Sequence, residues 1–319
     1  MDLYLETMAS FVEQGLTKPK LFNLPKKAKK PAVIWVYDMG GSALPSEIFF
    51  SAGAIKAPLI NVRDSQNFAS PASSDLLVFD SYSGATEEIL LAAKKIGVRH
   101  KGPKAVITGG GPLARFARDK NWPLLLLDFS VNPSEQPRLG LPLQLSAWRE
   151  LLQVFNLTDL KLSQWQKMLK AASKPKNLPT ISTAAKNNAR QPWLISGDTA
   201  LAGALHAFAN MINESGKTPA QWITWPEGAH HLPEAWADYA EDWAGRFFVR
   251  PKASPQALKA MRILAGQMAD GLSVSVSADP IAASLEIIWH GAYAAYFLAQ
   301  AKRADPLSVP AIAAYKKMK

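Results

Sequence analysis

The segment AVIWVYDMGGSALPSEIFF, residues 32–50, indicates the fold of this chain. Its first six residues form a continuous apolar run whose length and β-branching are typical of a buried strand. A turn with two glycines and a serine follows, and residues 45–52 then have the pattern of a helix. A strand, a glycine turn and a helix in this order form the repeating unit of an α/β fold.

The same order of elements recurs along the whole chain. Further strands are predicted at 59–62, 76–80, 105–108, 124–127, 193–196, 221–225, 247–249 and 274–277. Helices are predicted at 87–96, 112–120, 199–212, 233–243, 255–269, 280–301 and 306–317. Apolar strands that alternate with helices predict parallel sheets covered on both faces. We therefore predict an α/β protein with two doubly wound domains, residues 1–150 and 151–319.

The composition fits a globular enzyme. The chain has 319 residues, of which 48% are hydrophobic and 19% charged, which disfavours a disordered or fibrous protein. Cysteine is absent, so disulfides and thiolate chemistry are excluded. The first residues contain no apolar signal-peptide core, and no run of about 18 apolar residues occurs. We expect a soluble cytoplasmic protein without a membrane segment.

The net charge of +10 is concentrated in two basic stretches, residues 18–30 and 161–190. A basic balance suits anionic small substrates and also nucleic acid. The simpler interpretation is a solvated basic face. Neither stretch alternates aromatic with basic residues as a single-strand binding groove does, so no nucleic-acid partner is expected.

Two loops carry the residues best suited to a ligand. Asp38-Met39-Gly40-Gly41-Ser42 follows the first strand, and Ser81-Tyr82-Ser83-Gly84-Ala85-Thr86 follows the third. Ligands of open α/β sheets bind beyond the carboxyl ends of strands, so hydroxyls and glycines there predict a phosphate site. The alternative is ordinary helix capping by Ser83 or Thr86. The loops match neither a P-loop nor a dinucleotide fingerprint, because the required Lys and third Gly are missing.

MGGSA at 39–43 and SYSGATEE at 81–88 resemble the signatures of sugar-isomerase (SIS) domains. Gln136-Pro137-Arg138, Asn213-Glu214 and Glu227 followed by His230 extend the resemblance, as does the ending at 296–306. The chain thereby resembles the bifunctional phosphoglucose/phosphomannose isomerases over residues 34–317. The resemblance implies two tandem, flavodoxin-like SIS domains.

The resemblance also implies a role for individual residues. The substrate phosphate would be bound by Gly41, Ser42, Ser81, Ser83 and Thr86. Glu214 would be the catalytic base, Arg138 a cation beside the reacting carbons and Lys302 a group near the ring oxygen. His230 would open the sugar ring and would come from the partner subunit, so a homodimer is implied. The substrate would be a sugar phosphate, with no cofactor or metal.

The chemistry of these assignments is coherent. One carboxylate can move a proton between C1 and C2 of a cis-enediolate, and an arginine can stabilise the charge that develops. A histidine that titrates near neutral pH can transfer the ring-opening proton. Taken singly, Glu214 could instead pair with Lys217, Arg138 could be a surface charge, and His230 could face solvent.

Some positions depart from the family pattern. Asp38 stands where the family has a glycine, and it would repel a phosphate unless it turns away or pairs. Ala85 replaces an asparagine, and Ala292 and Ala295 replace an aspartate and a hydroxyl residue. The leading interpretation is an isomerase of glucose 6-phosphate and fructose 6-phosphate, with mannose 6-phosphate possible. The alternative is a non-catalytic, regulatory phosphosugar-binding protein.

Overall fold

A computed structural model describes residues 2–25, 28–63, 71–173, 178–268 and 270–317. Lys26 and Lys27 of the first basic stretch, and residues 174–177 of the second, lie outside them. The chain folds as two compact units. The N-terminal unit is Ala9–Lys167, and the C-terminal unit is Met1–Met8 with Met168–Lys319. The domain boundary at residue 150 stays a prediction.

The strands follow the predicted order. They are β1 (Lys20–Phe22), β2 (Ile34–Tyr37), β3 (Leu59–Val62), β4 (Leu76–Ser81), β5 (Lys104–Thr108), β6 (Leu124–Leu126), β7 (Trp193–Asp198), β8 (Ala220–Trp225), β9 (Ala244–Val249) and β10 (Asp270–Ser275).

The helices alternate with the strands over most of the chain. They are α1 (Leu3–Ala9), α2 (Phe11–Leu16), α3 (Leu44–Ser51), α4 (Glu87–Ala92), α5 (Gly111–Asp119), α6 (Leu141–Val154), α7 (Leu162–Ala172), α8 (Leu178–Asn187), α9 (Ala202–Glu214), α10 (Leu232–Tyr239), α11 (Pro255–Gln267), α12 (Pro280–Ala301) and α13 (Pro310–Lys317). No helix among the described residues has the length and apolarity that crossing a membrane requires.

The N-terminal unit contains a sheet of order β1-β6-β5-β4-β2-β3. Strands β2 to β6 are parallel, and β1 adds to the β6 edge in antiparallel orientation. The central strand β4 is buried along its whole length. On one face, the ring of Phe79 stacks on Tyr37 at 5.1 Å and on Trp122 at 5.8 Å. The order reverses direction between β2 and β4, and such a switch point is where open α/β sheets bind ligands.

The C-terminal unit contains a parallel sheet of order β10-β9-β7-β8. Helix α12 packs against α8 and α9 and is buried along much of its length. Strand β8 is an edge strand of this sheet.

The predicted fold class, two flavodoxin-like parallel α/β domains, is confirmed. The predicted bounds of β3 and α12 coincide with the observed ones. Strand β10 is different, since it begins at Asp270 rather than at residue 274. Its pairing with β9, from Asp270–Ala244 to Ser275–Val249, carries the strand across a glycine and polar residues with no strand pattern of their own. Strand β1 was not predicted, because three exposed residues give no periodic signal.

Candidate active site

The loop after β2 is a 3-10 turn, Gly40–Ala43, that leads directly into α3. Gly40 has φ +56°, a backbone conformation that favours glycine. The hydroxyl oxygen of Ser42 accepts a hydrogen bond from the backbone N–H of Tyr82 at 2.9 Å. This bond joins the first predicted phosphate loop to the second, across the switch point of the sheet.

The loop after β4 is held by its own hydroxyl groups. Ser81 Oγ and Thr86 Oγ1 are 2.9 Å apart, and the hydroxyl oxygen of Ser83 accepts from the N–H of Ala85 at 3.2 Å. Thr86 precedes α4, but its side chain makes no capping hydrogen bond. Simple helix capping by Thr86 is therefore the wrong interpretation of this hydroxyl.

Gly84 allows this loop to approach the loop after β5. Its φ is +66°, and a Cβ added there would lie 1.9 Å from the carbonyl oxygen of Gly110. No side chain fits between two backbones at that separation. The loop after β4 therefore packs directly against the backbone of Gly110.

A third loop, which contains Arg138, contacts the first two. A Cβ on Gly41 would lie 3.9 Å from Cβ of Pro137. The phenol oxygen of Tyr82 accepts from the amide of Asn132 at 2.6 Å, and the same amide donates to the carbonyl of Gln136 at 3.2 Å. The structure thus places Gly41, Tyr82 and the segment around Pro137 in one neighbourhood.

Arg138 is only 4% exposed, so its interpretation as a surface charge is wrong. Its Nη1 donates to Oε1 of Gln136 at 2.8 Å. A buried guanidinium requires hydrogen-bond acceptors, and Gln136 supplies one of them. Arg138 is therefore a buried cation held by Gln136, in the segment that approaches Gly41.

Asp38 does not point freely at the expected phosphate. Its carboxylate is fully buried and accepts from Arg63 Nε at 3.1 Å and from the hydroxyl of Ser46 at 3.2 Å. Arg63 Nη2 also donates to Glu47 at 2.5 Å. Burial raises the pKa of Asp38 from 3.8 to about 6, and the nearby Arg63 opposes this increase. The carboxylate of Asp38, which was expected to repel a phosphate unless it paired, is paired with Arg63.

A second carboxyl group is buried on the neighbouring strand. Asp80 accepts from the indole N–H of Trp148 at 2.6 Å. Burial raises the pKa of Asp80 well above its usual value, and the charge of Asp38 contributes in the same direction. Two buried carboxyl groups therefore lie at the starts of the hydroxyl loops, Asp38 directly after β2 and Asp80 near the end of β4.

In the C-terminal unit, Glu214 and Lys302 meet at one turn. Glu214 ends α9, and Lys217 Nζ donates to its carbonyl oxygen. Lys302 Nζ donates to the carbonyl of Lys217 and to the hydroxyl of Thr218, both at 2.6 Å. Burial lowers the pKa of Lys302. Lys302 and the backbone of Glu214 thus both contact Lys217, in the turn that follows α9.

His230 lies at the other end of β8. The side chain of Asn213 pairs with both backbone groups of Ala220, which fixes Glu214 near the amino end of β8. His230 is exposed and ends the 3-10 turn Glu227–His230 that follows the carboxyl end of this strand. A strand of this length spans roughly 20 Å. Within one chain, the fold separates Glu214 from His230.

Sequence reasoning missed Tyr82, Asn132 and Arg63. Tyr82 and Asn132 are remote in sequence, so no local pattern links them. Arg63 could have been found, because it follows β3 in the same way that Asp38 follows β2, and parallel strands bring such positions side by side.

The comparisons with known proteins agree with this architecture. The family model of the bacterial phospho-glucose isomerase C-terminal SIS domain matches residues 179–318. A bifunctional phosphoglucose/phosphomannose isomerase of Pyrobaculum calidifontis is 24% identical over 198 residues. This match covers 62% of the chain and only 60% of the length of that relative.

Two solved structures share the fold. The C-terminal domain of glucosamine-fructose-6-phosphate aminotransferase from Francisella tularensis is 12% identical, with a TM-score of 0.70 over 95% of this chain and 96% of that one. Tagatose-6-phosphate ketose/aldose isomerase from Escherichia coli is 17% identical, with a TM-score of 0.62 over 95% and 88%. The resemblance to the SIS-domain phosphoglucose/phosphomannose isomerase family is therefore confirmed, and residues 179–318 match the model of the bacterial phosphoglucose isomerase C-terminal SIS domain.

Proposed function

We propose that this protein is an aldose–ketose isomerase that interconverts glucose 6-phosphate and fructose 6-phosphate, with mannose 6-phosphate as a further substrate. The observation that carries the proposal is the contact between the hydroxyl loops of Ser42 and Ser81 and the segment that contains the buried cation Arg138. Such a site suits an anionic ester next to a carbon centre that develops negative charge. The relative from Pyrobaculum calidifontis, a bifunctional phosphoglucose/phosphomannose isomerase, supports the same substrate class.

In this proposal, the phosphate is bound by backbone at Gly41 and by the hydroxyls of Ser42, Ser81, Ser83 and Thr86. Hydroxyl groups donate to phosphate oxygens without adding a charge that would have to be desolvated. The hydrogen bond from the backbone N–H of Tyr82 to Ser42 supports this role, because it holds both loops in place before a ligand binds.

The proposed base is Glu214. It removes the proton from C2 of the open-chain aldose and returns it to C1. The proton of the C2 hydroxyl is transferred to the C1 oxygen, so the carbonyl moves from C1 to C2. Arg138 stabilises the enediolate oxygen charge that exists between these two transfers. An arginine suits this task because it stays protonated throughout the accessible pH range.

Ring opening is assigned to Lys302 and to the His230 of a second copy, so we propose a homodimer. The separation of Glu214 and His230 along β8 supports the contribution of a second copy. The lowered pKa of Lys302 supports a lysine that can exchange a proton more readily than an exposed one.

A non-catalytic phosphosugar-binding function is the second candidate. It is favoured by the carboxylate of Asp38 close to the phosphate loops, and by Ala295, which is fully buried where the family has a hydroxyl. Such a protein would bind fructose 6-phosphate without converting it.

The deciding experiment is conversion of fructose 6-phosphate in D2O, followed by NMR. An isomerase forms glucose 6-phosphate that carries deuterium at C2, and Glu214→Gln should slow this conversion by about 10²–10⁴-fold. The matched control is Glu241→Gln, which alters an exposed glutamate of the same unit. Equal rates for wild type and Glu214→Gln would refute the base assignment, and binding without conversion would establish the second candidate.

A further inference from the structure

Arg63, Asp38 and Asp80 occupy one row across the carboxyl edge of the N-terminal sheet. The register pairs Tyr37 with Val62 on one side and with Phe79 on the other. The next residue on each strand is therefore Arg63, Asp38 and Asp80, in that spatial order. Adjacent strands are roughly 5 Å apart, so Asp38 lies within one strand spacing of the segment that leads into Ser81.

Two carboxylates share the guanidinium of Arg63. Its Nε donates to Asp38 at 3.1 Å and its Nη2 donates to Glu47 at 2.5 Å. Asp38 is fully buried, whereas the side chain of Arg63 is 37% exposed at the ligand edge of the sheet. Loss of Arg63 would leave two acidic groups beside the loops that are proposed to hold a phosphate dianion.

Loss of Arg63 should have a large electrostatic effect on a phosphate, because Asp38 lies close to the loops that are proposed to bind it. Charges several ångströms apart interact strongly where protein replaces water, and a buried carboxylate is poorly screened by salt. A phosphate dianion and an unpaired Asp38 would repel each other, which would weaken binding without any change in the contacts of the hydroxyl groups.

We propose that Arg63 is an affinity-determining residue for anionic substrates, because its guanidinium neutralises Asp38 beneath the Gly40–Ala43 turn. Arg63 acts on the ligand through its charge and through Asp38, so it is a positioning and screening residue rather than a catalytic one. The inference rests on the proposed function, since it requires the phosphate to bind at these loops.

A double-mutant cycle with fructose 6-phosphate tests this inference. The dissociation constant is measured by calorimetry at pH 8 for wild type, Arg63→Gln, Asp38→Asn and the double variant. Arg63→Gln should weaken binding by about tenfold or more, as expected for an unscreened charge at this distance. The double variant should bind within about threefold of wild type, because the repelling carboxylate is gone.

Two further variants separate charge from structure. Arg63→Lys keeps the charge and should retain most of the affinity, whereas Lys56→Gln removes a surface cation, paired with Asp159 in the same unit, and should change nothing. Circular dichroism and the melting temperature confirm that each variant folds. If Arg63→Gln does not fold, Asp38→Asn alone decides the question: the screening role predicts tighter binding, and a merely structural role predicts weaker binding.

The outcomes are distinct from those of the proposed function. Wild-type protein that binds no fructose 6-phosphate at millimolar concentration would overturn both proposals together. Wild-type binding with a double variant as weak as Arg63→Gln, or with Arg63→Gln equal to wild type, would overturn the role of Arg63 and leave the proposed isomerase untouched.

Discussion

Glu214 and His230 lie at opposite ends of the same edge strand, β8, with Glu214 near its amino end and His230 beyond its carboxyl end. The length of β8, roughly 20 Å, separates the backbone positions of the two residues. This separation within one chain is why the proposed reaction takes its histidine from a second copy.

Mixed dimers provide the test of this arrangement. Glu214→Gln and His230→Ala should each be inactive as pure proteins. After unfolding and refolding together in equal amounts, half of the dimers are mixed and each mixed dimer has one intact site of two, so activity should return to about a quarter of wild type. Activity that stays at the level of the parents would show that His230 does not act across subunits.

Gly84→Ala should damage the hydroxyl loop far more than its backbone angle alone predicts. The new Cβ would lie 1.9 Å from the carbonyl oxygen of Gly110, so the two loops must separate. We expect a loss of at least about 3 kcal/mol in the free energy of unfolding, measured by urea titration, and loss of fructose 6-phosphate binding.

Gly53→Ala is the matched control, because Gly53 has φ +70° and no atom within 4 Å of an added Cβ. Gly53→Ala should lower the free energy of unfolding by only about 1–2 kcal/mol, the usual penalty for a left-handed backbone at a residue with a Cβ. Equal losses at Gly84 and Gly53 would mean that the contact with Gly110 has no energetic importance.

Tyr82→Phe should loosen the connection between the hydroxyl loops and the segment that contains Arg138. The change removes the phenol oxygen of Tyr82, which accepts a buried hydrogen bond from the amide of Asn132 at 2.6 Å. The expected loss of stability is about 1–2 kcal/mol, with weaker binding of fructose 6-phosphate. Tyr239→Phe, at a tyrosine that is 62% exposed, should leave both quantities unchanged.

The stability of the protein should depend on the ionisation of Asp38. Its pKa is 3.8 ordinarily and about 6 in the fold, where burial, with a smaller contribution from the charge of Glu47, outweighs the opposing effect of Arg63. Between pH 4 and 6 the unfolded chain loses this proton while the folded protein retains it. The associated stability is therefore present below pH 4 and is lost as the pH rises through 6.

Asp38→Asn removes this dependence. The free energy of unfolding of the wild type, relative to the variant, should fall by roughly 3 kcal/mol between pH 4 and pH 7, as two pKa units imply. Urea titrations of both proteins at pH 4 and at pH 7 measure it. A constant difference between the two proteins at these pH values would contradict the burial of an ionisable Asp38.

The sequence was sufficient for most of the sheet strands, though not for β1 or the start of β10, because apolar runs and glycine turns are local signals. The run 59–62 and the long helix 280–301 illustrate this, since each has clear ends in glycine, proline or charge. The contacts that position the loops are not local. The bond from Asn132 to Tyr82 spans fifty residues, and the burial of Arg138 depends on a fold that composition does not reveal.

The direction of one hydrogen bond has a consequence for the choice of ligand. Ser42 Oγ receives the amide proton of Tyr82, and Ser83 Oγ receives that of Ala85. A hydroxyl that accepts one hydrogen bond still has its own proton to donate. The backbone N–H groups therefore position both serine oxygens and leave the hydroxyl protons available for an acceptor such as an oxyanion.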